Sequence, residues 1–374
     1  MLLTFFSTLV SLPLVALTEL FKNSEELFQV SSCSKMSPKY SFALLNLPLV
    51  ALTEVIKKME LKELFQLSFC SKKSHFIVKH CRDKSIKWKL ELRGTSGVRL
   101  YLYKPDDLDF LQLNINCFPE RKGCSIVKLE GETLKIRFGL IFGLDVYCRD
   151  VQCGTNSLLQ YVSDLFNKNI DAVFFLKSTC WMMGMVQKLQ GSAYNAGFCT
   201  NDDQKERFTD EEFRDLLTAC KATNLYIQHE PANFFRFDNF AKKYDRLCIS
   251  YGHWITSNNF FSLNCRELII NRKIFTKKEI GQYLKRWIEG GAPRLKALSV
   301  HVGYCKQEEL FSNIEKHMLT IPGEQQYQVT NNNWIFNGKL VRRVDGVMAS
   351  IQYYPEWQCV RLAVWPDLQG NSFC

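Results

Sequence analysis

Residues 47–54 read Leu-Pro-Leu-Val-Ala-Leu-Thr-Glu, and residues 12–19 carry the same eight letters. A second short stretch is also repeated, because Glu-Leu-Phe-Gln occurs at 26–29 and again at 63–66. The duplicated unit combines a Leu-Pro start with two apolar-striped segments. This composition favours a docking module over a catalytic one.

The two copies differ in length. From Pro13 to Ser34 the first copy is two residues shorter than the second copy from Pro48 to Ser71, and the loss falls where a turn is expected. Pro38 follows soon after the first copy and stops a helix there. The first copy is therefore interpreted as a partial duplicate and the second as the working module.

The extreme N-terminus is apolar, but its pattern does not fit a secretory signal. No Lys or Arg occurs before Lys22, so the positively charged start of such a signal is missing. Part of the same text also recurs internally at 47–54, where no export signal can act. No uncharged apolar run of about 18 residues follows, so no membrane-spanning segment is expected.

The charge of the chain is +10 over 374 residues. Its lysines are spread, with the densest stretch between Lys72 and Lys89 beside the duplicated module. No RGG repeat, zinc-finger spacing or RNP-like motif accompanies them, so nucleic acid is not an expected partner. An acidic protein partner and a merely solvated surface stay open as explanations.

The chain has fifteen cysteines but no Cys-x-x-Cys spacing and no Asn-x-Ser/Thr sequon. Several cysteines lie inside apolar runs, as Cys248 does, where a free thiol behaves as a small hydrophobic group. This usage indicates a reducing compartment, the cytoplasm or the nucleus. No metal site and no cofactor are predicted.

The second copy is expected to form three helices between residues 47 and about 86. Met59-Glu60 supplies the turn between the first two, and residues 74–80 leave room for a third. Three helices of this size cannot bury all their apolar surface alone. The striped positions are Val50, Leu52, Val55 and Ile56 on the first helix and Leu61, Leu64, Phe65 and Leu67 on the second.

After the helices the pattern changes to strands. Residues 94–97, Gly-Thr-Ser-Gly, are a plausible hinge, and residues 130–132 predict a tight hairpin turn between two strands. The predicted domains are a partial duplicate at 1–40, the helical module at 41–90 and a larger domain at 98–374.

From about residue 155 helical and strand patterns alternate. Capping boxes at Thr209/Glu212 and Thr276/Glu279 open two of the helices. Strand centres at Ile227, Ile249, Ile269 and Ser299 lie roughly 20 to 30 residues apart, which suits a β–α solenoid with a leucine-rich-repeat-like period. A doubly wound sheet is the competing architecture.

The C-terminal part predicts a small antiparallel β meander on the end of the solenoid. Asn337-Gly338 is the favoured signal for a two-residue hairpin, and Asp345-Gly346 predicts a second turn. The predicted fold class is thus α/β: an N-terminal three-helix module, a β–α solenoid and a terminal meander.

No catalytic motif is found in the chain. A phosphate-binding loop, a Gly-x-Gly-x-x-Gly turn and a Gly-x-Ser-x-Gly elbow are all missing from the sequence. His229-Glu230 is followed by Pro231, which cannot continue a zinc-binding helix. Because catalytic groups need only be close in space, an enzyme such as a hydrolase stays an alternative.

Leu47-Pro48, the apolar positions that follow, and residues 70–73 (Cys-Ser-Lys-Lys) resemble the F-box. In that family the module docks the Skp-type adaptor of a cullin–RING ubiquitin ligase. The series at 283–290 (Tyr-Leu-Lys-Arg-Trp-Ile-Glu-Gly) and at 293–299 (Pro-Arg-Leu-Lys-Ala-Leu-Ser) is similar to the type-2 F-box-associated domain of nematode-type F-box proteins. Residues 343–346 add to this likeness.

The resemblance implies a substrate-receptor subunit of an SCF-type ubiquitin ligase, with the Skp-type adaptor, the cullin scaffold and an unknown target protein as partners and with no catalytic residues. The alternative is an interaction module that has lost adaptor docking. The expected adaptor-binding residues are Leu47, Pro48, Leu49, Leu52, Ile56, Leu64 and Leu67. A loop is expected to bind the target because loops carry variable contacts, and its candidate residues are Trp254, Ser257, Asn258 and Asn259.

Overall fold

The computed structural model describes residues 44–94, 97–105, 110–117, 124–138, 143–199, 207–238, 240, 243–330 and 333–372. The predicted partial duplicate at 1–40 lies outside these residues. The chain divides into two compact units, 1–55 and 56–374, and each is described by itself below.

The described part of the first unit begins with a 3₁₀ turn over Leu44–Asn46 and continues into helix α1 (Leu49–Lys58). Pro48 directly precedes α1, and its carbonyl accepts the first helical bond from the Leu52 N–H at 3.0 Å. A proline at a helix start loses no hydrogen bond, since the first N–H groups have no partner inside the helix. The Leu-Pro pair therefore sets where α1 begins.

The second unit begins at Ile56, in the last turn of α1, and continues with helices α2 (Leu61–Phe69) and α3 (Lys72–Cys81). The Glu63 carboxylate accepts a hydrogen bond from the Glu60 N–H at 2.9 Å, and Ser71 caps α3 by accepting from the Ser74 N–H at 3.0 Å. The three predicted helices and the turn at Met59-Glu60 are confirmed.

A 16-stranded mixed sheet dominates the described part of the second unit. Its first strands are β1 (Lys89–Gly94), β2 (Val98–Tyr103), β3 (Phe110–Cys117), β4 (Ser125–Leu129), β5 (Glu132–Phe138) and β6 (Gly143–Cys148). The middle strands are β7 (Ala172–Phe175), β8 (Asn195–Phe198), β9 (Asn224–Ile227), β10 (Arg246–Ile249), β11 (Glu267–Phe275) and β12 (Ala297–Val302). The last strands of this sheet are β13 (Met318–Thr320), β16 (Lys339–Arg342), β17 (Met348–Tyr354) and β18 (Cys359–Val364). Strands β14 (Gln325–Gln328) and β15 (Asn333–Phe336) form a separate two-stranded sheet.

Strands β7 to β12 are parallel neighbours and follow one another in space in the same order as in the chain. A doubly wound sheet reverses its strand order at a switch point, and no reversal occurs within this run. The mixed α/β class is as expected, whereas the solenoid remains a prediction. The helices of this region are α4 (Val151–Phe166), α5 (Trp181–Gln190), α6 (Asp210–Ala219), α7 (Ser257–Ser262), α8 (Lys277–Ile288) and α9 (Gln307–Phe311).

The structure contains most of the turns and helix caps that short sequence motifs predict. Both predicted capping boxes are present at the starts of α6 and α8. The β4–β5 hairpin turns at Glu130 and Gly131, whose φ angles are 48° and 86°, the left-handed values that a type I′ turn requires. Strands β16, β17 and β18 form an antiparallel meander, and β18 pairs with β12.

Two turn predictions are wrong. Gly94 is not part of a hinge between domains, because it is the last residue of β1 and pairs with Val98 on the antiparallel strand β2. Asn337-Gly338 does not close a hairpin, because β15 before it pairs with β14 and β16 after it pairs with β13 and β17. Gly338 has a φ of 71°, so the pair still makes a turn, but this turn passes the chain from one sheet to the other.

Three further observations concern the described residues only. None of their helices is long and apolar enough to cross a membrane. Their cysteines are all free thiols. No group of three or more His, Cys, Asp or Glu side chains among them could hold a metal ion.

Candidate adaptor-binding and target-binding surfaces

The predicted adaptor contacts divide by exposure. Leu49 is 68% exposed and Pro48 is also exposed, whereas Leu47 and Leu67 are half-buried. Leu52, Ile56 and Leu64 are buried, with exposed fractions of 2%, 0% and 6%. Their place on the apolar stripe of a helix puts these three predicted adaptor-binding side chains in the core, where they have little surface with which to contact a partner. Pro48 and Leu49 remain the accessible candidates.

Sequence reasoning missed two exposed apolar side chains in the helices. Val50, next to Leu49 on α1, is 77% exposed. Phe76 on α3 is 60% exposed, and its ring stacks on His80 with centroids 4.0 Å apart. The sequence held a signal for this pair, because Phe76 and His80 are four residues apart and therefore share a face of the predicted helix.

An aromatic contact holds α2 against α4. The Tyr161 ring on α4 stacks on Phe69 with centroids 4.8 Å apart and an interplanar angle of 6°. Its hydroxyl donates to the Ser68 Oγ at 2.8 Å, and Phe65 meets the same ring edge-on at 6.0 Å. Because Tyr161 is satisfied both by stacking and by hydrogen bonding, it fixes α2 on α4 in one orientation.

Polar contacts hold α3 against the same helix. The Asp164 carboxylate lies 2.9 Å from His75 Nε2 and also accepts a hydrogen bond from Lys79. The Lys79 ammonium lowers the pKa of Asp164 below its ordinary value, and the His75 hydrogen bond adds to this effect. Arg82 Nε donates to the Leu165 carbonyl at 2.9 Å. Helices α2 and α3 are thus fastened to α4, which covers strands of the large sheet.

The predicted target-binding loop is largely core. Trp254 is fully buried, and its ring meets Phe213, Phe235 and Phe240 at 5.8, 5.6 and 5.2 Å. Asn259 is 1% exposed and donates to the Phe237 carbonyl at 2.9 Å. These two predicted target-binding side chains are inaccessible in the folded chain, because the loop folds inward around an aromatic cluster.

The other two predicted loop residues are accessible. Asn258 is exposed and Ser257 is half-buried. The Ser257 hydroxyl donates to Oε1 of Glu279, the residue that completes the capping box of α8. Asn258 is therefore the loop residue with the greatest freedom to meet a partner.

His229 follows β9 in the same aromatic cluster. It is 1% exposed, its ring lies 4.8 Å from that of Phe213, and neither ring nitrogen has a hydrogen-bond partner. Burial lowers the pKa of His229 to about 4, and the nearby Arg207 charge adds to the shift while Asp210 opposes it. The histidine is neutral near neutral pH and has no metal-binding neighbours among the described residues.

His229 gives a pH-dependent stability that can be measured. Its pKa in the folded chain, about 4, is below the ordinary value of 6.5, so the unfolded chain takes up the proton first as pH falls. We expect the free energy of unfolding to fall between pH 6.5 and 4 by up to about 3 kcal/mol from this group alone. Comparing urea unfolding of the wild type and His229→Phe across this range isolates the effect, since carboxylates contribute equally to both. Identical pH profiles would contradict the prediction.

Part of the large sheet has one buried face and one more exposed face, here called the open face. Along β1 the side chains of Leu90 and Leu92 are buried, whereas Glu91 and Arg93 on the opposite face are not. The parallel strand β9 alternates in the same way, since Leu225 and Ile227 are buried and Asn224 and Tyr226 are half-buried. Parallel sheets normally have both faces covered. The alternation therefore shows that the open face is less covered at these strands than in an ordinary parallel sheet.

A register row crosses the centre of this open face. Each member pairs with the next on the neighbouring strand. The row runs Arg93, Phe174, Gly197, Tyr226, Cys248, Ile269, Ser299 and Arg361. It combines aromatic and aliphatic positions in the middle with an arginine at each end, a composition suited to protein contacts.

Two details show how the row is built. Gly197 leaves room for the Phe174 ring, because a Cβ at Gly197 would lie 2.2 Å from that ring. At the other end the Arg361 guanidinium lies over the rings of Trp334, Tyr354 and Trp357 at 5.1, 4.8 and 5.1 Å. Sequence reasoning did not find this face, since it depends on strand register.

A buried ion pair lies beside the row at the starts of β10 and β11. Arg246 and Glu267 are opposite each other in register, with 3.7 Å between Arg246 Nε and Glu267 Oε2. Thr330 donates to Glu267, and the Arg246 guanidinium lies 5.2 Å from the Tyr226 ring centroid. Removing one partner of such a pair leaves a buried charge uncompensated, so a single substitution at either residue is expected to destabilise the fold.

Comparisons with known proteins match two parts of the chain. Residues 44–86 match the F-box domain, and residues 237–300 match the F-box associated family. The Skn-1 dependent zygotic transcript 15 protein of Caenorhabditis elegans is 24% identical over 153 residues, which covers 38% of this chain and 42% of that protein. The chain thus spans less than half the length of this curated relative, and no solved structure matches the chain significantly.

The first match covers α1 to α3, and the second runs from Phe237 through α7 and α8 into β12. Both parts occur in the order that the sequence resemblance implied, and the relative comes from a nematode. The chain thus carries a segment similar to the F-box domain, followed by a segment similar to the F-box associated family.

Proposed function

We propose that this chain is the substrate-receptor subunit of an SCF-type cullin–RING ubiquitin ligase. Its F-box binds the Skp-type adaptor, which connects it to the cullin scaffold, and its F-box-associated region binds a target protein. The observation that carries the proposal is the presence of both matched parts in one chain. Exposed Pro48 and Leu49 at the start of α1 support it, since an adaptor interface needs accessible apolar side chains.

The proposal assigns no chemical step to this chain, because F-box and F-box-associated families are typically non-catalytic adaptors. The chain acts by tethering: a bound target is kept at high effective concentration near the ubiquitin-carrying subunits. The contacts of Tyr161 and Asp164 support this role, because helices fastened to the sheet hold a bound target at a fixed distance from the F-box helices α2 and α3. The compartment that fits free thiols is the cytoplasm or nucleus.

The target-binding surface in this proposal is the open face of the sheet rather than the Trp254 loop. Tyr226 and Ile269 are half-buried members of the central register row, whereas Trp254 and Asn259 are inaccessible. Aromatic and aliphatic side chains in the middle of a surface are the usual anchors of an interface. Ser257 and Asn258 are retained as contacts at the loop.

The proposal is tested by affinity purification of the tagged chain from cells in which the proteasome is blocked. We expect wild type to retain both the adaptor and a target, and Tyr226→Ser/Ile269→Ser to keep the adaptor but lose the target by about 30-fold. Asn258→Ala is the control for the loop. Loss of the target only in Asn258→Ala would move the surface to the loop.

A melting curve of each variant separates lost binding from lost folding. A chain that retains a target but never the adaptor would instead support the alternative, an interaction module without adaptor docking. Wild-type chain that binds neither partner contradicts both functions.

A further inference from the structure

A cleft of about 560 Å³ lies within the second unit where the end of α3, the connection to β1 and the end of α4 come together. Its walls are formed by residues 79–89 on one side and 166–168 on the other, with Pro105 at the margin. Trp88 and Phe166 form an apolar part of the lining, with ring centroids 5.9 Å apart. The volume is in the range of small-molecule sites, about 300–1,000 Å³.

The lining of this cleft is strongly basic. Among the residues that the structure describes, the lining contains no Asp or Glu. Its cationic side chains are Lys79, Arg82, Lys84, Lys87, Lys89 and Lys168, with His80 beside them. Such a concentration of one charge in a concave surface focuses a positive potential and attracts anions.

Acidic side chains behind the lining offset only part of this charge. Asp164 binds Lys79, and Asp171 lies 3.1 Å from Lys89 and 3.2 Å from Lys168. One carboxylate shared by two ammonium groups leaves a net positive charge. Asp83, next to Arg82, is a further nearby carboxylate, and it accepts hydrogen bonds from Ser85.

A structural explanation accounts for some of these cations. Lys79 and His80 lie in the last turn of α3, where positive charge complements the helix dipole. Lys84, Lys87 and Lys89 lie beyond the end of α3, and Lys84 and Lys87 are exposed. Arg82 is buried at 7% exposure; its Nε donates to the Leu165 carbonyl and its guanidinium lies 5.5 Å from the Phe166 ring centroid, and a bound anion would compensate its charge further. Helix capping therefore does not explain the whole cluster.

We propose that this basic cleft binds a small ligand with several linked phosphate groups. Lysine ammonium groups bind phosphate oxygens as compact point charges, and several of them in one cleft favour a multiply charged anion over a single carboxylate. A bound polyphosphate would bridge cations on α3, on the connection to β1 and after α4. It would thereby stabilise the junction that positions the F-box helices α2 and α3 on the sheet, a role independent of whether the chain binds an adaptor.

The test uses the full-length chain with inorganic tripolyphosphate as the probe, at constant ionic strength, by calorimetry and thermal melting. We expect binding with a raised melting temperature, and at least tenfold weaker binding for Lys84→Glu/Lys87→Glu. The matched control is Lys277→Glu/Lys278→Glu, which makes the same change of charge on α8 and should bind as wild type does. A second titration uses ATP in place of tripolyphosphate. Because both carry a triphosphate, comparing their affinities distinguishes a nucleotide site from a site for free polyphosphate.

Equal weakening in the two double variants would overturn the proposal, because binding would then follow net charge alone. Failure of both probes to bind the wild-type chain would overturn it as well. The sequence after Pro105 carries Asp106, Asp107 and Asp109. A variant in which these three residues are changed to Asn is therefore tested beside the wild-type chain. Binding of tripolyphosphate by that variant but not by the wild-type chain would overturn the proposal.

Discussion

Replacing Leu49 with aspartate should reduce capture of the Skp-type adaptor by about 30-fold or more while the melting temperature stays unchanged. Leu49 is 68% exposed on α1, so the folded chain loses little packing when it is changed. Apolar anchors at an interface typically contribute about 2 kcal/mol or more, and a buried charge in their place adds a desolvation cost. The measurement is surface capture of purified adaptor together with a thermal melt of each variant.

The matched control is Leu319→Asp. Leu319 is 49% exposed on β13, outside the F-box match, so the same chemical change is made at another accessible leucine. We expect it to capture the adaptor as wild type does. If Leu49→Asp also binds normally, the exposed start of α1 is not the adaptor surface.

The sequence alone predicts that truncating Leu64 weakens adaptor binding. Because Leu64 is buried, we expect its truncation to lower stability instead. At 6% exposure, Leu64→Ala should leave a cavity and lower stability by about 2–5 kcal/mol, so weakened capture by that variant would not report on the interface. An adaptor-binding experiment in this F-box is informative only at side chains that the fold leaves accessible.

Elements with a strong local signal were predicted from the sequence. The capping boxes at Thr209 and Thr276 and the turn at Glu130-Gly131 depend on contacts within a few residues, and the structure contains all three. The F-box helices were found because their apolar stripe has a helical period. Such features need no information about distant parts of the chain.

Elements whose signal lies in distant neighbours were missed. Strand β8 reads Asn-Ala-Gly-Phe, which has low strand propensity, and it exists because Gly197 accommodates the Phe174 ring of β7. The Asn337-Gly338 turn was recognised, but which strands pair around it depends on β13, β14 and β17. Strand β1 is an exception among the missed strands, because its burial alternates cleanly and it could have been found from its period of two.

The candidate binding residues divide in the same way, into those with a local sequence signal and those that depend on distant parts of the chain. Pro48 and Leu49 were identified because a Leu-Pro helix start is a local pattern, and both are accessible. The open face was not identified, since its row from Arg93 to Arg361 joins residues nearly 270 positions apart (361 − 93 = 268) through strand register. The loop around Trp254 was expected to be accessible because loops carry variable contacts, whereas Trp254 itself lies in the core.

Phe235→Ala should lower the free energy of unfolding by about 3–5 kcal/mol, whereas Phe234→Ala should change it by less than about 0.5 kcal/mol. The two residues are adjacent and lose the same atoms, but Phe235 is 2% exposed and Phe234 is 94% exposed. Phe235 contacts the rings of Phe213 and Trp254 at 5.3 and 5.6 Å, and the Arg214 guanidinium lies 5.5 Å from its centroid. Removing its ring opens a cavity beside Trp254 that the surrounding aromatic rings cannot fill without leaving their rotamers.

Urea unfolding of the two variants, followed by tryptophan fluorescence, measures this difference directly. A large loss of stability in Phe235→Ala alone would establish that the segment before β10 closes over Trp254, so that Trp254 cannot reach a target. Target capture by Phe234→Ala should also equal that of wild type if the open sheet face is the binding surface. Similar stability of both variants would mean that the aromatic cluster is loosely packed, and Trp254 would then regain its place as a candidate contact residue.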